Sequence, residues 1–457
     1  MDRQNSIVME KLGRERIGKL LFDYSMPAVI GMLVNTVYNI VDRIYIGQGV
    51  DPLGIAGITI VMPLMMVFMS ASMLIGIGAN ALFSIRLGEG RRDDVEKIMG
   101  HAFALLFLVP GLVILFCFIF LDTLIVRVLG ASEVVFPYAK TYLRIILYGG
   151  IFSAMGPGIN HFIRSDGHPK TSMLTQIIGA LLNIILDPIF IFVLDLGIAG
   201  AAWATIISQF ISFVFVIAYF NSRFTVLRFR LREMKLGLRL SLRIMAIGFA
   251  PATMSLAMGL VNIILNRSLS RYGGDLAVTT MGIVGSIIML IFMPLQGINQ
   301  GVQPIIGFNY GAKQYHRVRE AYWLAVKTGT IIFTAGFILL EALPYLFISI
   351  FTHEGGDLMG MCIRGLRICT AALPLIGFQM ITSNYFQSVG KPVQGTILGM
   401  SRQLLIFIPL LLILPGFFGL DGVFLTMPVS DVLSVIVSIP FMRHELKFLH
   451  NANASGT

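Results

Sequence analysis

Asp42 and Asp187 are acids set inside long apolar stretches, where a charge is expensive and usually functional. Asn183 precedes Asp187 by four residues, so the two side chains share a helix face. Pro188 follows at once. Its ring blocks a bond to the Ile184 carbonyl and frees an acceptor in the same region. Two carboxylates close together in low dielectric must be neutralised by a proton, a cation or a basic partner. A shared proton and a sodium ion held by hard oxygen ligands are the chemistries such a pair offers. The structural alternative is that each acid pairs with Arg43, Arg144 or a backbone group.

The elements that must position these residues are membrane spans. The chain has 457 residues, of which 56% are hydrophobic and only 13% charged, with a mean hydropathy of +0.83. Soluble domains carry roughly 25% charged residues. This composition excludes a cytosolic globular protein, a disordered chain and a disulfide scaffold. Cys117, Cys362 and Cys369 lie in apolar stretches and read as small core residues. The first eighteen residues are charged and lack a cleavable-signal pattern. A bilayer-crossing helix needs about 20 mostly apolar residues. Twelve such stretches run over 20–46, 55–85, 99–122, 137–163, 171–194, 197–220, 243–269, 277–308, 321–347, 362–386, 393–415 and 418–441. The predicted fold is an all-α integral membrane protein with twelve helices in two pseudo-symmetric six-helix bundles.

Basic residues near the span ends set the orientation. They crowd the amino-terminal segment, the 2–3 loop, the 6–7 connection and the 8–9 loop, while the 1–2, 5–6 and 11–12 loops hold no Lys or Arg. Both termini are therefore expected in the cytoplasm, and the net charge of +10 is this topology signal and needs no nucleic-acid partner. Depth follows from the same assignment. Asp42 lies four residues before Ile46, Asp187 seven before Leu194, Thr205 eight after Gly197 and Tyr142 five after Pro137. At about 1.5 Å per residue, all sit some 6–12 Å below the outer surface. Asp42, Asn183, Asp187, Thr205 and Tyr142 can share one layer of the first bundle.

The halves repeat. Pro27–Ala28 and Val41–Asp42–Arg43 fall on Pro251–Ala252 and Leu265–Asn266–Arg267 at an offset of 224. Gly78-x-Asn80 and Gly88 fall on Gly301-x-Gln303 and Gly311, and Ser165-x-Gly167-x-Pro169 on Ser388-x-Gly390-x-Pro392, both at 223. Gly197-x-x-Gly200 falls on Gly419-x-x-Gly422 at 222. Six helices per half give a parallel repeat, with residues 1–222 and 243–457 as the bundles and 223–242 as a basic cytoplasmic linker. A cleft between the bundles, open alternately to each side, is the physical reading. Asn266 stands where the first half has Asp42, and Leu410 where it has Asp187, so the charge belongs to the first half's task and not to the bundle fold.

Other polar residues carry weaker signals. Asp431 either titrates as a second site or pairs with Arg402, and Glu341 reads as structural. Gln296, Asn299, Gln300, Gln303 and Asn262 either line an aqueous cleft or bond helix to helix. Met32, Met65, Met258, Met289 and Met293 are candidates for adaptable cleft walls. The substrate-cleft candidates are Asn39, Asn80, Asn262, Gln296, Gln300 and Asp431.

Over nearly its whole length the chain resembles the multidrug and toxic compound extrusion (MATE) transporters, in their DinF/MepA-like branch. The resemblance rests on Pro27, Asn39-x-x-Asp42, Gly76-x-Gly78-x-Asn80, Ser165-x-Gly167-x-Pro169, Asn183-x-x-x-Asp187-Pro188 and Gly197-x-x-Gly200-Ala201-Ala202-x-Ala204-Thr205. It implies a secondary antiporter that exports lipophilic organic cations in exchange for inward protons or sodium. The implied cation site is Asp42, Asn183, Asp187 and Thr205 with Tyr142, and Pro27 marks an implied bend of span 1. Spans 7 and 10 contain no acid, a departure from the branch with carboxylates in the second lobe. The expected protein is a monomer in the cytoplasmic membrane of a bacterium or archaeon, in contact with lipid and without a cofactor beyond the coupling ion. The runner-up is a flippase for a lipid-linked sugar, which would want a cationic cleft for pyrophosphate. A membrane enzyme would need metal sets or nucleophile dyads, and none is found in the sequence. A channel would favour a symmetric pore.

Overall fold

The computed structural model describes residues 9–50, 52–222, 225, 234, 236–352 and 356–454. The described residues fold into helices with no strand. Most of the basic 223–242 linker, and the side chain of Arg43, lie outside the described residues.

Eight helices are long and apolar enough to cross a membrane, and a ninth span is the pair Asp357–Thr370 and Leu373–Ser388, bent by 48°. One of the eight runs over 74 residues, Leu238–Gly311. As a straight helix it would measure roughly 110 Å, against a hydrocarbon core of about 30 Å. It is two spans, broken at Gly274, whose φ of 66° and ψ of −162° are not helical. Phe407–Ala454 is divided in the same way at Gly419, with φ 57° and ψ −133°. Phe136–Ser165 adds a 30-residue helix whose apolarity is diluted by Lys140 and Arg144 near its start.

Twelve spans result among the described residues. They are α1 (Ile17–Gly49), α2 (Pro52–Gly88), α3 (Arg92–Ile119), α4 (Phe136–Ser165), α5 (Pro169–Pro188) and α6 (Gly197–Asn221). The second set is α7 (238–273), α8 (275–311), α9 (Tyr315–Ala342), α10 (the bent pair 357–388), α11 (392–418, with a π-helical stretch at Ser401–Ile406) and α12 (420–454). Each predicted span falls on one of these helices, and the protein is an all-α integral membrane protein.

The backbone repeats with the sequence. Positive φ recurs at Gly167 and Gly390, at Gly197 and Gly419, and at Gly90 and Lys313. Each pair opens the next helix in its own half.

The chain forms two compact units. One contains Met1–Glu15 and Met26–Ala252, the other Arg16–Ser25 and Thr253–Thr457. In the first, α4 is central and packs on α2, α3, α5 and α6. A Cβ on Gly76 would lie 2.8 Å from the Gly158 Cα, so α2 and α4 meet through bare backbone. The opening turns of α7 also belong here. Gly78 of α2 faces the Ile244 backbone, Gly248 of α7 faces the Leu74 backbone, and Ser70 Oγ donates to the Ala252 carbonyl at 2.7 Å. The second unit mirrors this with the opening turns of α1, since Gly301 of α8 is seated against Ser25. Gly78 and Gly301 are the pair already matched by the repeat. Both are glycine because a neighbouring main chain occupies the place of a side chain.

The second unit has its own apolar core around Leu269, Val284, Leu366, Leu411 and Phe424.

Candidate functional site

The acid pair lies within the first unit. Span α1 carries Asp42 and is held against α5 by Asn35, whose Nδ2 donates to Gln176 Oε1 at 3.0 Å. Span α5 has strong helix formers between Pro169 and Pro188, and its buried face includes Thr175, Ala180, Asn183 and Asp187. That spacing is the helical periodicity seen in the sequence.

Asp187 is fully buried and Asn183 nearly so. Asn183 Nδ2 donates to Asp187 Oδ1 at 3.2 Å. The Asp187 carboxyl also lies within hydrogen-bonding reach of the Asp42 carboxyl. Two carboxylates bring no donor to each other, and among the described residues no donor reaches Asp187 Oδ2. One proton between the acids would supply that donor. A bound cation would balance the same two oxygens. Among the described residues no Lys or Arg pairs with Asp187, and Arg144 is turned to Tyr148, donating from Nε at 3.2 Å.

Tyr142 of α4 is within electrostatic reach of both acids. Tyr38 of α1 is too, and its hydroxyl is hydrogen-bonded to the Asn39 side chain. Sequence reasoning passed over Tyr38. Its signal was present, because it precedes Asp42 by one helical turn on α1. Thr205 is half-buried on α6 and makes no hydrogen bond to the acids among the described residues. Tyr38→Phe removes a hydroxyl from the pair's surroundings without changing its packing. Export in membrane vesicles is expected to fall by several-fold, on the order of one lost hydrogen bond, with expression unchanged.

Pro188 ends α5, and the following turn, Ile189–Val193, is π-helical. The missing N–H of Pro188 is where the bonding pattern changes. Pro27 sits within the unbroken helix α1, two residues past Ser25, where the chain passes from one unit to the other.

Asn39 is exposed and donates back to the Asn35 carbonyl at 2.6 Å. Asn80 is buried on α2, where its carbonyl accepts from Ser84 Oγ at 2.9 Å. In the second unit, Asn262 and Gln296 are exposed and Gln300 is half-buried. Asp431 is ion-paired with Arg402. Arg402 Nε reaches its Oδ1 at 2.5 Å, and the guanidinium stands over the Phe292 ring at 5.3 Å. Glu341 also has a partner, Arg367 Nε at 3.3 Å, in keeping with a structural role. Among the described residues no cluster of three His, Cys, Asp or Glu side chains could hold a metal ion.

Comparison with known proteins agrees with this architecture. The MatE family model matches twice, over residues 27–189 and 250–413, one copy per half of the repeat. The multidrug export protein MepA of Staphylococcus saprophyticus is 26% identical over 93% of both chains. Its namesake in Staphylococcus aureus is 26% identical over 92% of both. Among solved structures, a MATE transporter in complex with MaL6 superposes with a TM-score of 0.91 at 26% identity, covering 96% of this chain and 99% of that one. A MATE transporter in the bent conformation also gives 0.91 at 26% identity, over 98% and 99%. A MOP superfamily transporter from Pyrococcus furiosus, described as having a binding pocket of reverse polarity, gives 0.89 at 25% identity, over 96% and 98%. With the family model covering most of both halves, the chain belongs to the MatE family, the multidrug and toxic compound extrusion proteins.

Proposed function

We propose that this protein is a secondary active antiporter that exports lipophilic organic cations in exchange for inward H⁺ or Na⁺. The observation that carries this reading is the pair formed by half-buried Asp42 and fully buried Asp187, with Asn183 bonded to Asp187 and Tyr38 and Tyr142 in electrostatic reach, all within the first unit. A proton or sodium ion neutralises the pair and stabilises one conformation, and substrate favours the other. Coupling requires that difference in affinity between states. Alternating access of the two bundles supplies the exchange. Relatives named as multidrug export proteins support the export of drugs, and the acid pair supports a cationic class. The pair's oxygen ligands suit either coupling ion. The protein acts as a transporter and not as an enzyme, as a monomer in the cytoplasmic membrane, with both termini on the cytoplasmic side where Lys and Arg concentrate.

The test is efflux of a fluorescent aromatic cation from proteoliposomes, with a pH gradient and a sodium gradient imposed separately. At least one gradient is expected to drive efflux. Failure of both, with protein shown to be correctly folded, overturns the reading.

A further inference from the structure

The repeat reverses its charge at one place. At an offset of 223, α3 opens with Asp93, Asp94 and Glu96 where α9 opens with His316, Arg317 and Arg319. In the first half the acids balance local arginines, with Arg91 Nε on Asp94 Oδ2 at 3.2 Å. The second half lacks that balance. Arg317 Nε donates to the Asn309 amide oxygen at 2.9 Å, and Glu320 is within electrostatic reach of the same arginine. Glu445 of α12 is bonded to Lys391 and Tyr385. Among the described residues no carboxylate pairs with Arg319, His316 or His450.

A second element joins α9 here. α6 ends at Asn221, which matches Arg443 at an offset of 222, but α12 runs on to Ala454. That extension packs on the start of α9, with the Phe448 ring 6.1 Å from the Tyr315 ring and Leu449 buried. Between the two helices is a cavity of about 120 Å³, lined by Tyr315, His316, Arg319, Leu449 and His450. Beyond it, Arg319, Trp323, Lys327 and Ile331 follow at four-residue spacing along an exposed face of α9. Lys327 lies inside the span, and among the described residues no carboxylate pairs with it. A helical side chain tilts toward the amino terminus of its helix, so the Lys327 stem carries its charge back toward Arg319.

We propose that this cavity and the adjoining face of α9 bind the headgroup of an acidic phospholipid. Position decides the partner. The cavity lies where a span leaves the bilayer, and the face beyond it exposes a tryptophan and an isoleucine, which suit the acyl boundary. Cations without acids of their own at that level are complementary to a lipid phosphate. A free phosphate would meet the same cations but would leave the apolar part of the face uncovered. The inference does not depend on which ion drives transport.

Trp323 is one of two tryptophans, so Trp203→Phe makes it the sole fluorophore of its kind. The full-length protein with that substitution is placed in mixed micelles, and brominated phosphatidylglycerol or brominated phosphatidylcholine is added to quench Trp323. Phosphatidylglycerol is expected to quench at an about fivefold lower concentration. Adding Arg319→Gln and Lys327→Met should bring the two lipids together. All the replaced side chains are exposed, so the fold should survive. Should Trp203→Phe fail to fold, the wild type with both tryptophans gives the same comparison. Equal quenching by the two lipids, or an undiminished preference after the cations are removed, overturns the proposal. Excess sodium phosphate, against sodium gluconate at equal ionic strength, separates the sources. A preference that survives phosphate supports the lipid, and one that phosphate abolishes assigns the cavity to the free anion and overturns the proposal.

Discussion

Asp42→Asn is expected to bring gradient-driven export down to the level of empty vesicles, a loss on the order of a hundredfold or more, while the protein still inserts and folds. The amide keeps the shape of the carboxylate but cannot be neutralised by a coupling ion. Without an ion that distinguishes the two states, the gradient has nothing to act on. Folding should survive, because the second half carries Asn266 at the matching place on α7. Asp187→Asn should behave alike. Its amide can donate to Asp42, as a shared proton would, so it imitates the neutralised pair permanently. Substrate binding to either variant, measured by fluorescence, separates lost coupling from a lost fold. Normal efflux by Asp42→Asn would remove the acid pair from the mechanism.

Arg402→Met is expected to destabilise the second unit by about 3–5 kcal/mol. It leaves Asp431, whose side chain is 4% exposed, as a charge buried without its guanidinium. Arg402→Met/Asp431→Leu should recover most of that loss, because removing both partners leaves no orphaned charge. Chemical denaturation in mixed micelles, followed by fluorescence, reads both effects. If the single and double variants unfold alike, the ion pair is not what neutralises Asp431.

Much of this molecule was legible in its sequence, for physical reasons. Lipid forces every backbone group to be satisfied inside its own helix, so apolar length alone places the spans. The turn glycines could be matched because positive φ is strained for other residues; Lys313, opposite Gly90, is the position where the sequence hides that geometry. Asn183 and Asp187, joined by a hydrogen bond, were paired by helical spacing.

What spacing could not supply was rotation about the helix axis. Depth put Thr205 in the layer of the acids, but nothing in the sequence fixed the direction α6 turns it. The same limit left Asp431 undecided. Arg402 is 29 residues away, across a span whose π-helical stretch at Ser401–Ile406 shifts the phase of the face. Tyr38 was missed because an aromatic residue in an apolar span looks like packing until its neighbours are known.

The exchange of helix openings between the units has a consequence for biogenesis. Residues 16–25 leave the ribosome well before residues 253–457, yet they belong to the same compact unit. The nascent chain must keep that leading segment available until its late partners arrive. Severing the gene between α6 and α7 would give a carboxy-terminal fragment that lacks Ser25 beneath Gly301, and an amino-terminal fragment that lacks Gly248 beneath Leu74. Neither half is complete by itself, and the two should assemble only when made in the same cell.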